Sequence, residues 1–187
     1  SECAPFIKTG GLADVIGAVP KALKPLGAHV RILLPAYPAL AGELAKGTEV
    51  ISLPDLQGGP ARVVAVTARG LDLLLLDAPH LFDRSGNIYL GPDGTDWPDN
   101  ALRFGALSYV GAQIAMGALD GWAPDLVNAH DWQAARVPAY LHAAGSTLPT
   151  VMTLPNIASQ GGVGCGVLAT LGRPGCRFTW CKGDSDR

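Results

Sequence analysis

The sequence predicts an α/β fold built on a largely parallel sheet, and three observations predict it. Apolar stretches at helical spacing alternate along the chain with short strand-like runs. Apolar residues make up 48% and charged residues 16% of the 187, enough to bury the core of one ordinary domain but not two large ones. The polar segment Asn128-Ala129-His130-Asp131 closes a predicted strand, and open α/β sheets bind ligands at such strand ends.

The elements follow in order. Gly11 to Leu26 carries Leu12, Val15, Ile16, Val19 and Leu23 at helical spacing, with Pro20 inside the pattern, where it is predicted to kink or break the helix. Gly27 ends that helix, His29 to Leu34 reads as a buried strand, and a short helix spans Pro38 to Lys46. Ala61 to Thr67 and Leu71 to Asp77 are strands, and the short Ala68-Arg69-Gly70 link predicts an antiparallel hairpin. Ala78 to Asp99, rich in Pro, Gly, Asp and Asn, reads as a long loop of the kind that often carries function. A helix over Asn100 to Leu119 buries Leu102, Leu107, Val110 and Ile114. A strand at Leu126 to Ala129, a helix over Trp132 to Ala144 and a strand at Thr150 to Leu154 complete the pattern.

The formal net charge of −2 argues against a nucleic-acid or anionic-membrane surface. No apolar run approaches a bilayer span and the start does not read as a signal segment, so the expectation is a cytoplasmic protein. From Gly161 onward the character changes, with seven of the 24 glycines and three of the four cysteines (Cys165, Cys176, Cys181). Those cysteines lack the paired spacing of zinc sites and have no histidine nearby, so no metal is expected. Residues 162–187 are instead expected to be a tail foreign to the domain formed by 1–161.

Three segments carry chemistry. Lys8-Thr9-Gly10-Gly11 sets a cation and two residues without side chains just before a helix. Free N–H groups and the helix dipole there suit a phosphate, and equally a plain helix start with an exposed lysine. The GxGxxG and Walker patterns are absent. Asp131, after His130, can accept hydrogen bonds from sugar hydroxyls or cap the helix that follows, and His130 can equally be a core histidine. Asp96-Trp97-Pro98-Asp99-Asn100 puts an aromatic face beside carboxylates, which suits a sugar ring; as a structural alternative Asp99 caps the next helix and Trp97 packs on it.

Taken in register, these segments resemble the ADP-glucose-dependent starch and glycogen synthases. Ser1, Glu2, Pro5 and Lys8 to Val15 match SExxPxxKTGGLADV, Arg31 to Pro38 match RxLLPxYP, and Leu76 to Tyr89 match LDAPxLFDRxGxxY. Trp97 to Phe104 stand for YxDNxxRF, and Pro124 to Ala134 for PDxVHAHDWQA. The resemblance implies the Rossmann-like N-terminal half of a GT-B glycosyltransferase that moves glucose from ADP-glucose to an α-1,4-glucan with retention, without a cofactor. It implies Asp131 and Glu2 as catalytic residues, and Lys8, Gly10 and Gly11 at the donor diphosphate. Trp97 and Asn156 would face the glucan, while Asp14, His130 and Pro155 are motif residues with no fixed role. Pro155 stands where the family has a histidine and Ser159 where it has an aromatic. The family also has a strand ahead of Ser1 and a second domain. Without them, the chain on its own is expected not to transfer glucose. Two other readings stay open: a non-catalytic glucan-binding module, and a single-domain dinucleotide-binding protein, against which the missing GxGxxG counts.

Overall fold

A computed structural model describes residues 1–154; Pro155, Asn156 and the 162–187 tail with its cysteines lie outside the described residues. The first ten residues fold back on helix α1 (Gly11–Leu23), with the Ala4 amide donating to the Ala13 carbonyl at 2.9 Å. Gly17 permits that approach, because a Cβ there would collide with the Ala4 carbonyl oxygen. α1 therefore buries Leu12, Ala13 and Gly17; of the predicted stripe Leu12 is buried and Ile16 packs against the core, whereas Leu23 is 37% exposed. The helix is unbroken at Pro20: proline lacks only its own N–H, and its carbonyl still accepts the Lys24 amide.

Strands β1 (Arg31–Pro35), β2 (Thr48–Leu53), β3 (Ala61–Ala68) and β4 (Leu71–Asp77) form one sheet in the order β1-β4-β3-β2. β1 and β4 run parallel with Leu34 opposite Leu75, whereas β3 pairs antiparallel with both β4 and β2. The sheet is therefore mixed, not largely parallel. The predicted hairpin is present, turning on Arg69 and Gly70 at φ 50° and 76°. Leu71 and Leu73 to Leu76 are all buried, as a central strand covered on both faces requires. β2 has no counterpart in the sequence reading. It is an edge strand, mostly exposed and bulged between Glu49 and Ile51, so it lacks a clean apolar alternation.

Between Pro38 and Leu44 a 3₁₀ turn runs into the short helix α2 (Ala41–Leu44). The loop predicted for 78–99 contains one helical turn, α3 (Pro79–Phe82), and leads into α4 (Asn100–Ala115), which is buried nearly throughout. β5 (Val127–His130) and β6 (Thr150–Thr153) pair parallel as a second, two-stranded sheet. The single helix predicted over 132–144 is two, α5 (Asp131–Ala134) and α6 (Val137–Ala143). Pro138 has no amide to offer the Ala134 carbonyl, so the helix restarts with proline in its first turn, where the missing donor is harmless.

One core packs the four-stranded sheet against α3 and α4 through Leu34, Val63, Leu75, Phe82, Phe104 and Val110. A smaller cluster joins Ala112 and Ala115 of α4 to Val137 and Leu141 of α6 and Ala129 of β5. α4 thus packs on both sheets, through Phe104 and Val110 on one side and Ala112 and Ala115 on the other. Among the described residues no helix is long and apolar enough to cross a membrane.

Candidate active site

Glu2 is the hub of the opening turn. It is only 3% exposed, and its carboxylate accepts four hydrogen bonds. Oε2 takes the amides of Thr9 (2.6 Å) and Gly10 (3.2 Å), while Oε1 takes the Thr9 hydroxyl (2.7 Å) and the Tyr89 hydroxyl (2.6 Å). Burial alone would raise its pKa, but the bonds from Tyr89, Thr9 and Gly10 outweigh that and hold it below the ordinary glutamate value. Burial, and then the bond to Glu2, push the Tyr89 hydroxyl far up, so it stays a donor. The Ser1 hydroxyl, 2.8 Å from the Tyr89 oxygen, is then the donor to it. The resemblance implies a catalytic Glu2; in the structure this carboxylate accepts from four donors of its own chain and so clamps the turn.

What the clamp holds is open on the outside. A Cβ on Gly10 or Gly11 would meet nothing within 4 Å, and φ at Gly10 is −152°, which any residue adopts. Glycine is therefore not needed here for backbone strain or close packing, and its effect is to leave the turn bare. No side chain caps α1, so the first-turn amides from Gly11 onward keep their hydrogen-bonding capacity for a ligand. Lys8 lies beside them and is exposed. Its ammonium pairs with Asp14 of the first helical turn at 2.8 Å, and both side chains are more than half exposed. Asp14, a motif residue without a predicted role, thus restrains Lys8 near the helix start. The pair's own contribution to stability is at most about 1 kcal/mol.

Asp131 sits where β5 passes into α5 with φ +60°, a left-handed conformation uncommon outside glycine, and it is buried. Its Oδ1 accepts the amide of the adjacent Trp132 at 2.9 Å, but Asp131 is itself the first residue of α5 and no side chain caps that helix. The predicted cap is therefore not formed, and the left-handed backbone marks the position as more than a helix start. His130 precedes it. Burial holds this imidazole's pKa below the ordinary histidine value, and its buried Nδ1 has no partner among the described residues. Trp132 packs edge-on to Phe104 at 5.1 Å and against Tyr89 at 6.1 Å, while Tyr89 and Phe104 lie 5.7 Å apart. Through Tyr89 this aromatic cluster joins the Asp131 segment to Glu2 and the glycine turn. The sequence reading did not single out Tyr89 or Trp132 as site residues, although both lie inside its motifs.

Trp97 stands apart. Its ring carries the Arg84 guanidinium on one face at 4.6 Å and donates Nε1–H to the Asn87 carbonyl at 3.4 Å. Arg84 also grips Asp99 with both terminal guanidinium nitrogens, Nη1 and Nη2. Asp99 therefore does not cap α4 with its side chain. Burial by itself would raise the Asp99 pKa, but Arg84 outweighs it and lowers it. Among the described residues the Trp97 side chain has no hydrogen bond or ring contact with Glu2, Lys8 or Asp131. It joins the cluster only through its amide, which donates to the Tyr89 carbonyl at 3.0 Å. No group of acidic, histidine and cysteine side chains among the described residues is placed to hold a metal ion.

Comparison with known proteins gives this geometry its context. The family described as the starch synthase catalytic domain matches residues 1–183, past the Gly161 boundary drawn from the sequence. A glycogen synthase of Roseobacter denitrificans is 61% identical over 180 residues, covering 96% of this chain and 38% of that protein. A glycogen synthase of Rhodopseudomonas palustris is 52% identical, covering 96% of this chain and 37% of that protein. Among solved structures, the catalytic domain of starch synthase IV from Arabidopsis thaliana bound to ADP and acarbose superposes with a TM-score of 0.71 at 24% identity, over 93% of this chain and 36% of that one. The chain spans less than two-fifths of the length of each of these proteins.

Proposed function

The chain belongs to the starch synthase catalytic domain family, and from that membership we propose that it forms one wall of an ADP-glucose-dependent α-1,4-glucan glucosyltransferase acting in the cytoplasm. The observation that carries this reading is the bare, clamped turn at Gly10 and Gly11, joined through Tyr89 and Trp132 to the strained Asp131. The transfer breaks the bond between the glucose C1 and the diphosphate oxygen and forms one from C1 to the 4-hydroxyl at the glucan's non-reducing end. That hydroxyl gives its proton to the departing diphosphate oxygen, and ADP leaves with the bonding electron pair. The free amides at the start of α1, with Lys8, meet the charge that grows on the leaving diphosphate. Asp131 offers a carboxylate toward the sugar, where positive charge develops at C1. Glu2 acts indirectly, by holding the turn. The half-exposed Trp97 ring, backed by Arg84, offers an apolar face to a more distant glucose unit of the chain. No cofactor enters this scheme.

A chimera tests the proposal. Residues 1–154 of this chain replace the matching stretch of the Roseobacter denitrificans relative, and labelled glucose from ADP-glucose is followed into glycogen. Incorporation well above that of the 187-residue chain alone is expected. A folded chimera that transfers nothing, beside an active parent, would refute the assignment.

A further inference from the structure

Arg103 is the one fully buried charged side chain among the described residues, with 0% exposure, and no carboxylate pairs with it. Its Nε donates to the Leu81 carbonyl at 2.7 Å, and Nη1 donates to the Ile88 carbonyl at 3.0 Å and to Asn100 Oδ1 at 2.7 Å. The rings of Phe82 and Phe104 flank the guanidinium at 5.5 and 5.3 Å. Nη2 has no partner among the described residues. Burying an unpaired charge is a poor route to stability, and an apolar residue would fill this core more cheaply. The guanidinium's particular gift is geometric: a rigid fork that reaches two carbonyls of the 78–99 loop from one helix position.

The second of those carbonyls adjoins what the site needs. Ile88 is the residue before Tyr89, and Asn100, which Arg103 holds by its oxygen, donates its Nδ2 to the Tyr89 carbonyl at 2.9 Å. Tyr89 is thus fixed on both sides of its own backbone, and its hydroxyl delivers the bond to Glu2. We propose that Arg103 is a positioning residue for the glycine turn: through Ile88, Asn100 and Tyr89 it sets the Glu2 carboxylate that fixes the Thr9 and Gly10 amides. The turn's use by a diphosphate rests on the function proposed above, but the relay itself does not.

Amide hydrogen exchange in the 187-residue chain, without ligand, reads the relay directly. Arg103→Lys keeps the charge and loses the fork. It should speed exchange at Thr9 and Gly10 about tenfold relative to Leu75 of β4, which reports global opening. Tyr89→Phe, which cuts the bond to Glu2 and keeps the ring, should do the same, and combining the two should add little. Leu141→Ala, a core truncation in α6, should leave the ratio unchanged. Should Arg103→Lys not fold, Asn100→Asp takes its place, since it keeps the acceptor for Arg103 and drops the donor to Tyr89. Acceleration of the turn and of β4 in equal proportion, or additive effects of Arg103→Lys and Tyr89→Phe, would overturn the relay. Because exchange needs no ligand, its outcome is independent of whether the chimera transfers glucose.

Discussion

Glu2→Ala is expected to lower the stability of the chain by about 3 kcal/mol, a drop in Tm of roughly 10 °C for a domain of this size, and to release the Thr9–Gly11 turn. The substitution strips one acceptor from four donors. Thr9 and Gly10 are exposed and can turn to water, so their loss is modest. The Tyr89 hydroxyl lies within the packed cluster and recovers less, and most of the cost falls there. Glu2→Gln should cost only about 1 kcal/mol, because its oxygen can serve the two amides while its NH2 faces the hydroxyls. The unaltered chain and Glu2→Gln also separate in acid. The folded-state pKa of Glu2 lies below its unfolded value, so its stabilisation is complete above about pH 4.3 and fades as pH falls through the folded pKa. The Tm of the unaltered chain should therefore fall more steeply below pH 4 than that of Glu2→Gln. Thermal melts followed by circular dichroism decide the matter, and an unchanged Tm in Glu2→Ala would remove the clamp from the account.

Asp131→Asn separates chemistry from architecture. Asparagine tolerates the left-handed φ of +60° and keeps an oxygen for the Trp132 amide, so the stability of the chimera should change by less than about 0.5 kcal/mol. It cannot carry a negative charge. If the carboxylate faces the sugar as proposed, glucose transfer should fall at least a hundredfold, in line with the roughly 3–4 kcal/mol typical of a well-placed electrostatic group. Asp131→Ala, by contrast, should lose both, because alanine is strained at that φ and leaves the Trp132 amide without its acceptor. Near-normal transfer by a stable Asp131→Asn chimera would reduce Asp131 to a turn residue.

The order of elements was legible in the sequence because it rests on local pattern. The apolar run of β4, the glycine at the hairpin turn and the apolar spacing of α4 each act within a few residues. β2 is not legible because an edge strand with a bulge needs no apolar alternation. The α5–α6 break is not because helical apolar spacing runs on through Pro138, which sits in the first turn of α6. At the site, the bare Gly10-Gly11 turn and the strained Asp131 both fall on segments picked out by residue type. The role of Glu2 was not readable, since its partners lie seven, eight and 87 residues away. Arg103 was hidden for a related reason. An arginine on a helix normally lies at the surface, and only the folded loop over α4 turns this one inward.

If the turn opening α1 receives a diphosphate, ADP titrated into the 15N-labelled chain will show it. Binding should be weak, on the order of millimolar or about −4 kcal/mol, because one helix start and one lysine supply few contacts. The largest amide shifts should fall on Gly10, Gly11 and Leu12, and Lys8→Ala should diminish them. Adenosine, which lacks the diphosphate, should produce little. Shifts of equal size with adenosine, or shifts confined to residues away from the 8–14 segment, would contradict the account.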